Sequence, residues 1–152
     1  MFKQNLVFSK LNIKNYGEVI TLLGTRMEEL GCVKQTYVSA VLEREKGFPT
    51  GLQMGEYGIA IPHTESSHVC RTELAIATLQ EPVEVYSMID PTKVIRVSLV
   101  ILMAVKDPSG QVKMLSKLMG LFQNVEMLKT LETASSSDEM YEILSTIELK
   151  TV

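Results

Sequence analysis

A histidine at the end of a strand-like segment is the residue of this chain best placed to do chemistry. The run Gly58–His63 ends in Ile61, Pro62 and His63, and only two histidines occur among the 152 residues. Because proline fixes its own φ and holds the preceding residue extended, the strand stays rigid up to the point where the imidazole enters a loop. Functional side chains often stand on loops held by such a scaffold. His63 is therefore a candidate reactive residue, although an exposed loop histidine without a function fits the same placement.

Arg44 is the second candidate. It follows Val41 by three residues and Tyr37 by seven in a predicted helix, so it projects from the edge of the buried face. A guanidinium fixed there can offer its fork of donors to a phosphoryl group near His63. The alternative is that residues 43–46 are a solvated run of alternating charge. The glycines match neither a P-loop nor a dinucleotide-binding motif, so we expect no ATP or NAD site and no bound cofactor.

A metal site is the competing chemical interpretation of the same region. His63, His68 and Cys70 lie close together in sequence, and imidazole and thiolate are zinc ligands. Their spacing is not a recognised ligand pattern, and a carboxylate such as Glu65 or Glu73 would have to complete the site. A Cys–His nucleophilic pair is also open, because a neighbouring imidazolium lowers a thiol pKa. We expect no metal, and predict that Cys70 is a buried, inert thiol.

Composition and charge narrow the class of protein. Hydrophobic residues make up 45% and charged residues 22% of the chain, with a net charge of -3 and a mean hydropathy of +0.13. These values are typical of a globular protein, and the lack of any run of Lys or Arg argues against nucleic acid as a partner. The most apolar stretch, Val97–Val105, is far shorter than the roughly 20 residues that a membrane-spanning helix needs. Direct membrane insertion is therefore not expected.

Length and the terminal segment set the expected organisation. A chain of this length is predicted to form one domain, residues 1–152. The N-terminal residues lack the apolar segment of a secretory signal, so a cytoplasmic protein is expected. In a reducing compartment Cys32 and Cys70 would remain thiols, without a structural disulfide.

Periodicity predicts the elements that position these side chains. Apolar residues at three- and four-residue spacing indicate two helices before the strands and two or three after them. These run from Tyr16 to Leu30 with Gly31 as a left-handed cap, from Lys34 to Lys46, from Val112 to Phe122, onward from Asn124, and onward from a capping box at Ser136. Strand character is found in Tyr57–Ile61, Leu74–Leu79, Val83–Tyr86 and Val94–Val105.

The order of these elements predicts the fold class. Two helices precede a group of strands, and further helices follow, which favours an α/β fold with helices on both faces of one sheet. The last predicted strand shows little alternation, as expected for a central strand that is covered on both faces. The short link Gln80–Pro82 indicates that the sheet is mixed and partly antiparallel.

The ordered set of motifs resembles a known family. Arg44-Glu45, then Thr50-Gly51-Leu52, then Gly58–His63, is similar to the fructose/mannitol-type (type 2) enzyme IIA of the bacterial phosphoenolpyruvate-dependent sugar phosphotransferase system. The similarity continues through residues 90–94 to the helix at residues 115–118, and so covers nearly the whole chain. Residues 64–65 and 68–69 resemble the galactitol-type branch in particular.

This resemblance implies a function and a set of partners. His63 would accept a phosphoryl group from a phosphohistidine of the carrier HPr and pass it to a cysteine of a IIB component, which serves the membrane permease IIC during uptake of a sugar such as galactitol. Arg44 matches the family's arginine and would offset phosphoryl charge. Thr64 is inferred to donate a hydroxyl hydrogen bond. The resemblance also implies a three-layer sandwich fold, and transient docking requires a partly apolar surface around His63.

Two positions depart from the family's pattern. Several members carry a second histidine where this chain has Gln111, whose amide can still offer a neutral hydrogen bond; His68 is the other candidate for that role. Ser66 stands where the galactitol-type pattern has proline. Two other functions remain open: a regulatory phosphoacceptor module of the same fold, and a metal-binding hydrolase that uses His63, His68 and Cys70.

Overall fold

The described residues form five strands and five helices. The computed structural model describes the backbone of residues 1–151 and the side chains of residues 1–147. In chain order the elements are β1 (Val7–Leu11), α1 (Tyr16–Glu29), α2 (Tyr37–Gly47), β2 (Gly51–Met54), β3 (Tyr57–Ala60), β4 (Glu73–Tyr86), β5 (Val94–Ala104), α3 (Gly110–Leu121), α4 (Val125–Thr133) and α5 (Ser137–Thr151), with short 3₁₀ turns at Gln4–Leu6 and Ser66–His68.

The strands form one mixed sheet in the order β1-β4-β5-β3-β2. β4 and β5 are antiparallel, as are β2 and β3, whereas β1 pairs in parallel with β4 and β3 pairs in parallel with β5. The predicted mixed, partly antiparallel sheet is therefore confirmed. Because β3 and β5 are parallel, their C-terminal ends lie at the same side of the sheet. His63 follows the C-terminal end of β3.

Helices cover both faces of the sheet, which confirms the three-layer α/β architecture. On one face, α1 and α2 pack on residues such as Val100 and Leu102 of β5; on the other, α3, α4 and α5 pack on Leu99 and Ile101 of the same strand. Successive β5 side chains thus enter opposite cores, as predicted for a strand buried on both faces. No helix within the described part of the chain is long and apolar enough to cross a membrane.

Two strands were not predicted from the sequence. β1 is an edge strand whose five residues include Ser9 and Lys10, and β2 has only four residues, among them Gly51 and Gln53. Such short segments lack the apolar run that reveals a strand, and tertiary pairing determines their conformation. The helices are thus preceded by a strand, which the predicted order of elements omitted.

The predicted strands Leu74–Leu79 and Val83–Tyr86 are one strand. β4 runs through both, and Gln80–Pro82 is an irregularity in its pairing with β5 rather than a reversing link. Proline donates no backbone hydrogen bond, so a register shift there accommodates Pro82. The antiparallel prediction was right, but the chain reverses later, between Tyr86 and Val94.

The helix boundaries follow the predicted signals with small shifts. Gly31 has a φ of 76°, as expected for a left-handed cap after α1. α2 starts at Tyr37 rather than Lys34, because residues 34–37 form a turn first. The Ser136 hydroxyl accepts from the Glu139 N–H, which confirms the N-cap, although the Glu139 carboxylate returns to Ser135 and not to Ser136.

Candidate functional site

His63 stands in a loop that the neighbouring strand β5 holds in place. β3 ends at Ala60, but the N–H of Met103 still donates to the Pro62 carbonyl over 3.0 Å, and His63 and Met103 form an isolated parallel bridge. Ile61 and Pro62 are buried, whereas His63 is half-buried. The backbone is therefore fixed up to the residue whose ring reaches the surface.

The ring of His63 has a defined orientation and tautomer. Its Nδ1 lies 2.9 Å from the carbonyl oxygen of Ile61. A carbonyl only accepts, so Nδ1 must carry the proton, which leaves the Nε2 lone pair free in the neutral ring. Burial lowers the pKa of His63 below its usual value of 6.5, the Arg44 charge lowers it further, and the bond to Ile61 opposes both effects. Neutral imidazole with a free Nε2 is thus the favoured state.

Arg44 brings a half-buried positive charge to the same region. Its guanidinium carbon lies 5.2 Å from the ring centroid of Phe48, in a cation–π contact. Among the side chains that the structure describes, Arg44 Nε is the one buried nitrogen or oxygen that lacks a hydrogen-bond partner. Buried donors are normally paired, so this nitrogen is suited to an anionic ligand.

An open recess of about 370 Å³ lies beside Arg44. Thr64, the residue after His63, lines it and is only 6% exposed. The recess is lined by Ala40, Glu43, Arg44, Gly47, Phe48, Thr64, Glu65 and His68. The structure therefore brings Arg44 and Thr64 together on the wall of one recess; His63 precedes Thr64 in the chain and does not itself line the recess.

Gln111 contacts the backbone of this loop and not an imidazole. It lies in the first turn of α3, and its Nε2 donates to the Thr64 carbonyl over 2.7 Å. Because that carbonyl directly follows His63 in the chain, the bond ties α3 to the loop. Gln111 thus holds the loop in place, a role that its matching position in the sequence did not reveal.

His68 and the two cysteines are arranged differently from the predicted metal cluster. The Nδ1 of His68 lies 2.7 Å from the Thr36 hydroxyl. Cys70 is exposed and Cys32 is the buried thiol, so the prediction of a buried Cys70 was wrong; Cys70 lies in a bend before β4 begins at Glu73. Among the residues described, no group of three or more His, Cys, Asp or Glu side chains is placed to hold a metal ion.

One part-buried polar cluster near the site was not predicted. The Glu45 carboxylate accepts hydrogen bonds from the N–H and the hydroxyl of Thr50, and the Tyr16 hydroxyl lies 3.4 Å from that of Thr50. The motif that carries Arg44 contains both Glu45 and Thr50, but the five-residue spacing between them gives no sign that their side chains meet.

Exposed apolar side chains flank the site. Phe48, under the Arg44 guanidinium, is 67% exposed, and Val112, which follows Gln111 in α3, is 75% exposed. A partly apolar surface near His63 was expected.

Comparison with known proteins identifies the class. Residues 1–147 match the family "Phosphoenolpyruvate-dependent sugar phosphotransferase system, EIIA 2". The chain is 33% identical over 127 residues to the galactitol-specific EIIA component of Escherichia coli strain K12, covering 84% of each protein. The chain therefore belongs to the type 2 EIIA family of the sugar phosphotransferase system, and it is a phosphotransferase component.

Two further relatives show the range of this class. A chain in the NMR structure of the complex of enzyme IIAMTL and phosphorylated enzyme IIBMTL from Escherichia coli superposes with a TM-score of 0.78 at 25% identity, over 96% of this chain and 99% of that one. The transcriptional regulator ManR of Bacillus subtilis is 35% identical over 101 residues, which is 66% of this chain but 14% of the regulator. The resemblance inferred from the motifs is confirmed.

Proposed function

We propose that this chain is a sugar-specific EIIA component that accepts a phosphoryl group from phospho-HPr on His63 and passes it to a cysteine of a IIB component. The observation that carries the proposal is the free Nε2 of His63 in a site with the unpaired Nε of Arg44. A neutral nitrogen nucleophile and a fixed guanidinium are what phosphoryl transfer requires, because the transfer depends on positioning and on stabilising charge.

The first transfer is an in-line displacement at phosphorus. The Nε2 lone pair of His63 forms the new P–N bond while the P–N bond to the donor histidine breaks, and its electron pair returns to the ring of HPr. Throughout this step Nδ1–H stays bonded to the Ile61 carbonyl. In the second transfer the thiolate of IIB attacks phosphorus, the Nε2–P bond breaks, and neutral His63 is restored.

Arg44, Thr64 and Gln111 support this step in different ways. The Arg44 guanidinium offsets negative charge on the phosphoryl oxygens. Thr64 lines the same recess, and its hydroxyl donates a hydrogen bond to one of them. Gln111 acts one step away, because its bond to the Thr64 carbonyl fixes the backbone on which His63 and Thr64 stand.

The relatives support a proposal for the partners and the sugar. We infer that one domain, residues 1–152, works in the cytoplasm and docks HPr and IIB in turn on the surface around His63 that includes Phe48 and Val112. IIB then serves the membrane permease IIC. Similarity to galactitol-specific components supports a galactitol-like polyol as the transported sugar.

Intact-mass analysis tests the phosphoryl carrier. The protein is incubated with phosphoenolpyruvate, enzyme I and HPr, and wild type is compared with His63→Ala. The proposal expects one acid-labile phosphoryl group on the wild type and none on the variant. A phosphoryl group on the variant, or none on the wild type when HPr is active, would contradict it.

A regulatory phosphoacceptor is the second candidate. Similarity to a short part of the regulator ManR supports it, since that protein is a transcriptional regulator and this chain spans only 14% of it. Transfer of the phosphoryl group onward to a IIB cysteine separates the two functions. Onward transfer supports the transport role, whereas a stable phospho-His63 that no IIB discharges supports regulation.

A further inference from the structure

We propose that Glu45 is a positioning residue for phosphoryl transfer, and that it holds the His63 ring through Thr50 and Ile61. The consequence for the reaction rests on the proposed function of His63, whereas the geometry stands on its own. Glu45 does not touch the reacting nitrogen. Three consecutive hydrogen-bonded links connect the two side chains.

The first link joins the end of α2 to the start of β2. Glu45 lies in the last turn of α2, and its Oε1 accepts from the Thr50 N–H over 2.8 Å. The Thr50 hydroxyl lies 3.1 Å from each carboxylate oxygen, and Thr50 is only 3% exposed. The carboxylate thus reaches forward past the helix end and fixes the residue that precedes β2.

The second link is a backbone hydrogen bond between Thr50 and Ile61, the residue that follows β3. The Thr50 carbonyl accepts from the Ile61 N–H over 3.4 Å, one residue beyond the last pair of the β2–β3 ladder, Gly51 and Ala60. That contact is long for a backbone hydrogen bond, and the ladder cannot continue because Pro62 has no N–H. Since the ladder holds Thr50 only weakly at this end, we expect the bonds to Glu45 to fix its position.

The third link reaches the imidazole. The Ile61 carbonyl accepts from His63 Nδ1 over 2.9 Å, so Ile61 is bonded to Thr50 on one side and to the catalytic ring on the other. A displacement of Thr50 is expected to move Ile61 and with it the only acceptor found for Nδ1 among the described contacts. The tautomer that leaves Nε2 free depends on that acceptor.

Glu45 differs in charge and burial from an exposed residue at a helix end. Burial raises the pKa of Glu45, whereas its bonds to Thr50 and Tyr16 and the Arg44 charge oppose the rise. Burial and the Glu45 charge raise the pKa of Tyr16 well above its usual value, which keeps its hydroxyl a donor. The last turn of α2 thus carries two neighbouring residues with different roles. Arg44 contributes its charge to the proposed phosphoryl site, and Glu45 anchors Thr50.

Two readouts on the full-length protein test the proposal. Glu45→Ala removes the anchor, Glu45→Gln keeps an oxygen for the Thr50 N–H, and Glu29→Ala is the control, because Glu29 is an exposed carboxylate on α1. The first readout is the ring ¹⁵N NMR spectrum of unphosphorylated His63, which distinguishes the two tautomers. The second is the rate of phosphoryl acceptance as a function of the phospho-HPr concentration.

For Glu45→Ala we expect a mixture of His63 tautomers and about a tenfold loss of kcat, with KM for phospho-HPr changed less than about twofold. Glu45→Gln should recover most of the rate and of the Nδ1–H tautomer, and Glu29→Ala should behave as wild type. A folded Glu45→Ala protein with the wild-type ring spectrum and rate would overturn the proposal.

A second variant decides the case in which Glu45→Ala does not fold. Thr50→Val replaces the hydroxyl with a methyl group and keeps the backbone bond to Glu45. A smaller change in the same direction in both readouts is expected; no change contradicts the proposal. If wild type accepts no phosphoryl group at all, the proposed function fails. The ring spectra of the variants still test the link from Glu45 to His63 separately.

Discussion

The two histidines of this chain lie five residues apart in one loop, yet their surroundings differ in the feature that matters for reactivity. The Nδ1 of His63 faces a backbone carbonyl, which can only accept, whereas the Nδ1 of His68 faces the Thr36 hydroxyl, which can donate or accept. The carbonyl fixes one tautomer and the hydroxyl permits two. The partner of Nδ1 thus distinguishes His63, which we propose as the reactive histidine, from His68.

The largest expected effect separates the two rings directly. His63→Ala should abolish phosphoryl acceptance, because the nucleophile is lost, whereas His68→Ala should reduce the rate only about threefold by loosening the loop near Thr36. Single-turnover transfer from phospho-HPr measures both. Complete loss in His68→Ala with a folded protein would contradict the distinction between the two histidines.

Substitution of Arg44 is expected to have the next largest effect on transfer, since its charge lies near His63. Arg44→Ala should slow acceptance by about 10²-fold, as expected for the loss of one group that stabilises transition-state charge. Arg44→Lys should recover only part of this rate, because an ammonium lacks the forked donors. Thermal unfolding should show a change within about 1 kcal/mol, since the guanidinium has one unpaired nitrogen and one contact with Phe48. Wild-type kinetics in Arg44→Ala would contradict this role.

Substitution of Gln111 is expected to have a smaller effect on transfer, because Gln111 contacts the backbone beside His63 and not the ring. Gln111→Ala removes one hydrogen bond to the Thr64 carbonyl, so a loss of about 1 kcal/mol in stability and about a fivefold slower transfer are expected. Chemical denaturation and transfer kinetics measure the two quantities. A loss as large as that of Arg44→Ala would mean instead that Gln111 contacts the phosphoryl group itself.

The pH dependence gives the smallest effect, and its sign follows from burial. Burial lowers the pKa of His63 below 6.5, so the neutral ring persists at pH values where a free imidazole is protonated. Between the folded and unfolded pKa values the unfolded chain binds more protons, and stability should therefore fall as pH decreases from about 6.5. NMR titration of the His63 ring checks this, and a pKa above 6.5 would contradict it.

Sequence reasoning predicted the parts of the fold that rest on long apolar patterns. The helices and the central strand β5 were found because their periodicity reflects burial, and the three-layer order followed from them. β1 and β2 were missed because strands of five and four residues with Ser9, Lys10 or Gln53 carry no such pattern. Cys70 was placed wrongly because the residue lies in a bend before β4 begins at Glu73, and this bend leaves the thiol exposed.

The site was predicted less completely, for a geometric reason. Pro62 made the position of His63 evident from local conformation alone, and helical spacing placed Arg44 at the edge of a buried face. The partner of His63 Nδ1, the bond from Gln111 to Thr64 and the contact of Glu45 with Thr50 depend on how distant segments pack. Spacing along the chain contains no information on such contacts until the sheet order is known.

The central claim is that the fixed Nδ1–H of His63 leaves Nε2 as the phosphoryl acceptor. Ring ¹⁵N NMR of the protein before and after phosphorylation by phospho-HPr tests it most directly. The account predicts a protonated Nδ1 in both states and a phosphorus coupling to Nε2 only in the second. A phosphoryl group on Nδ1, or an unphosphorylated ring protonated on Nε2 alone, would contradict it.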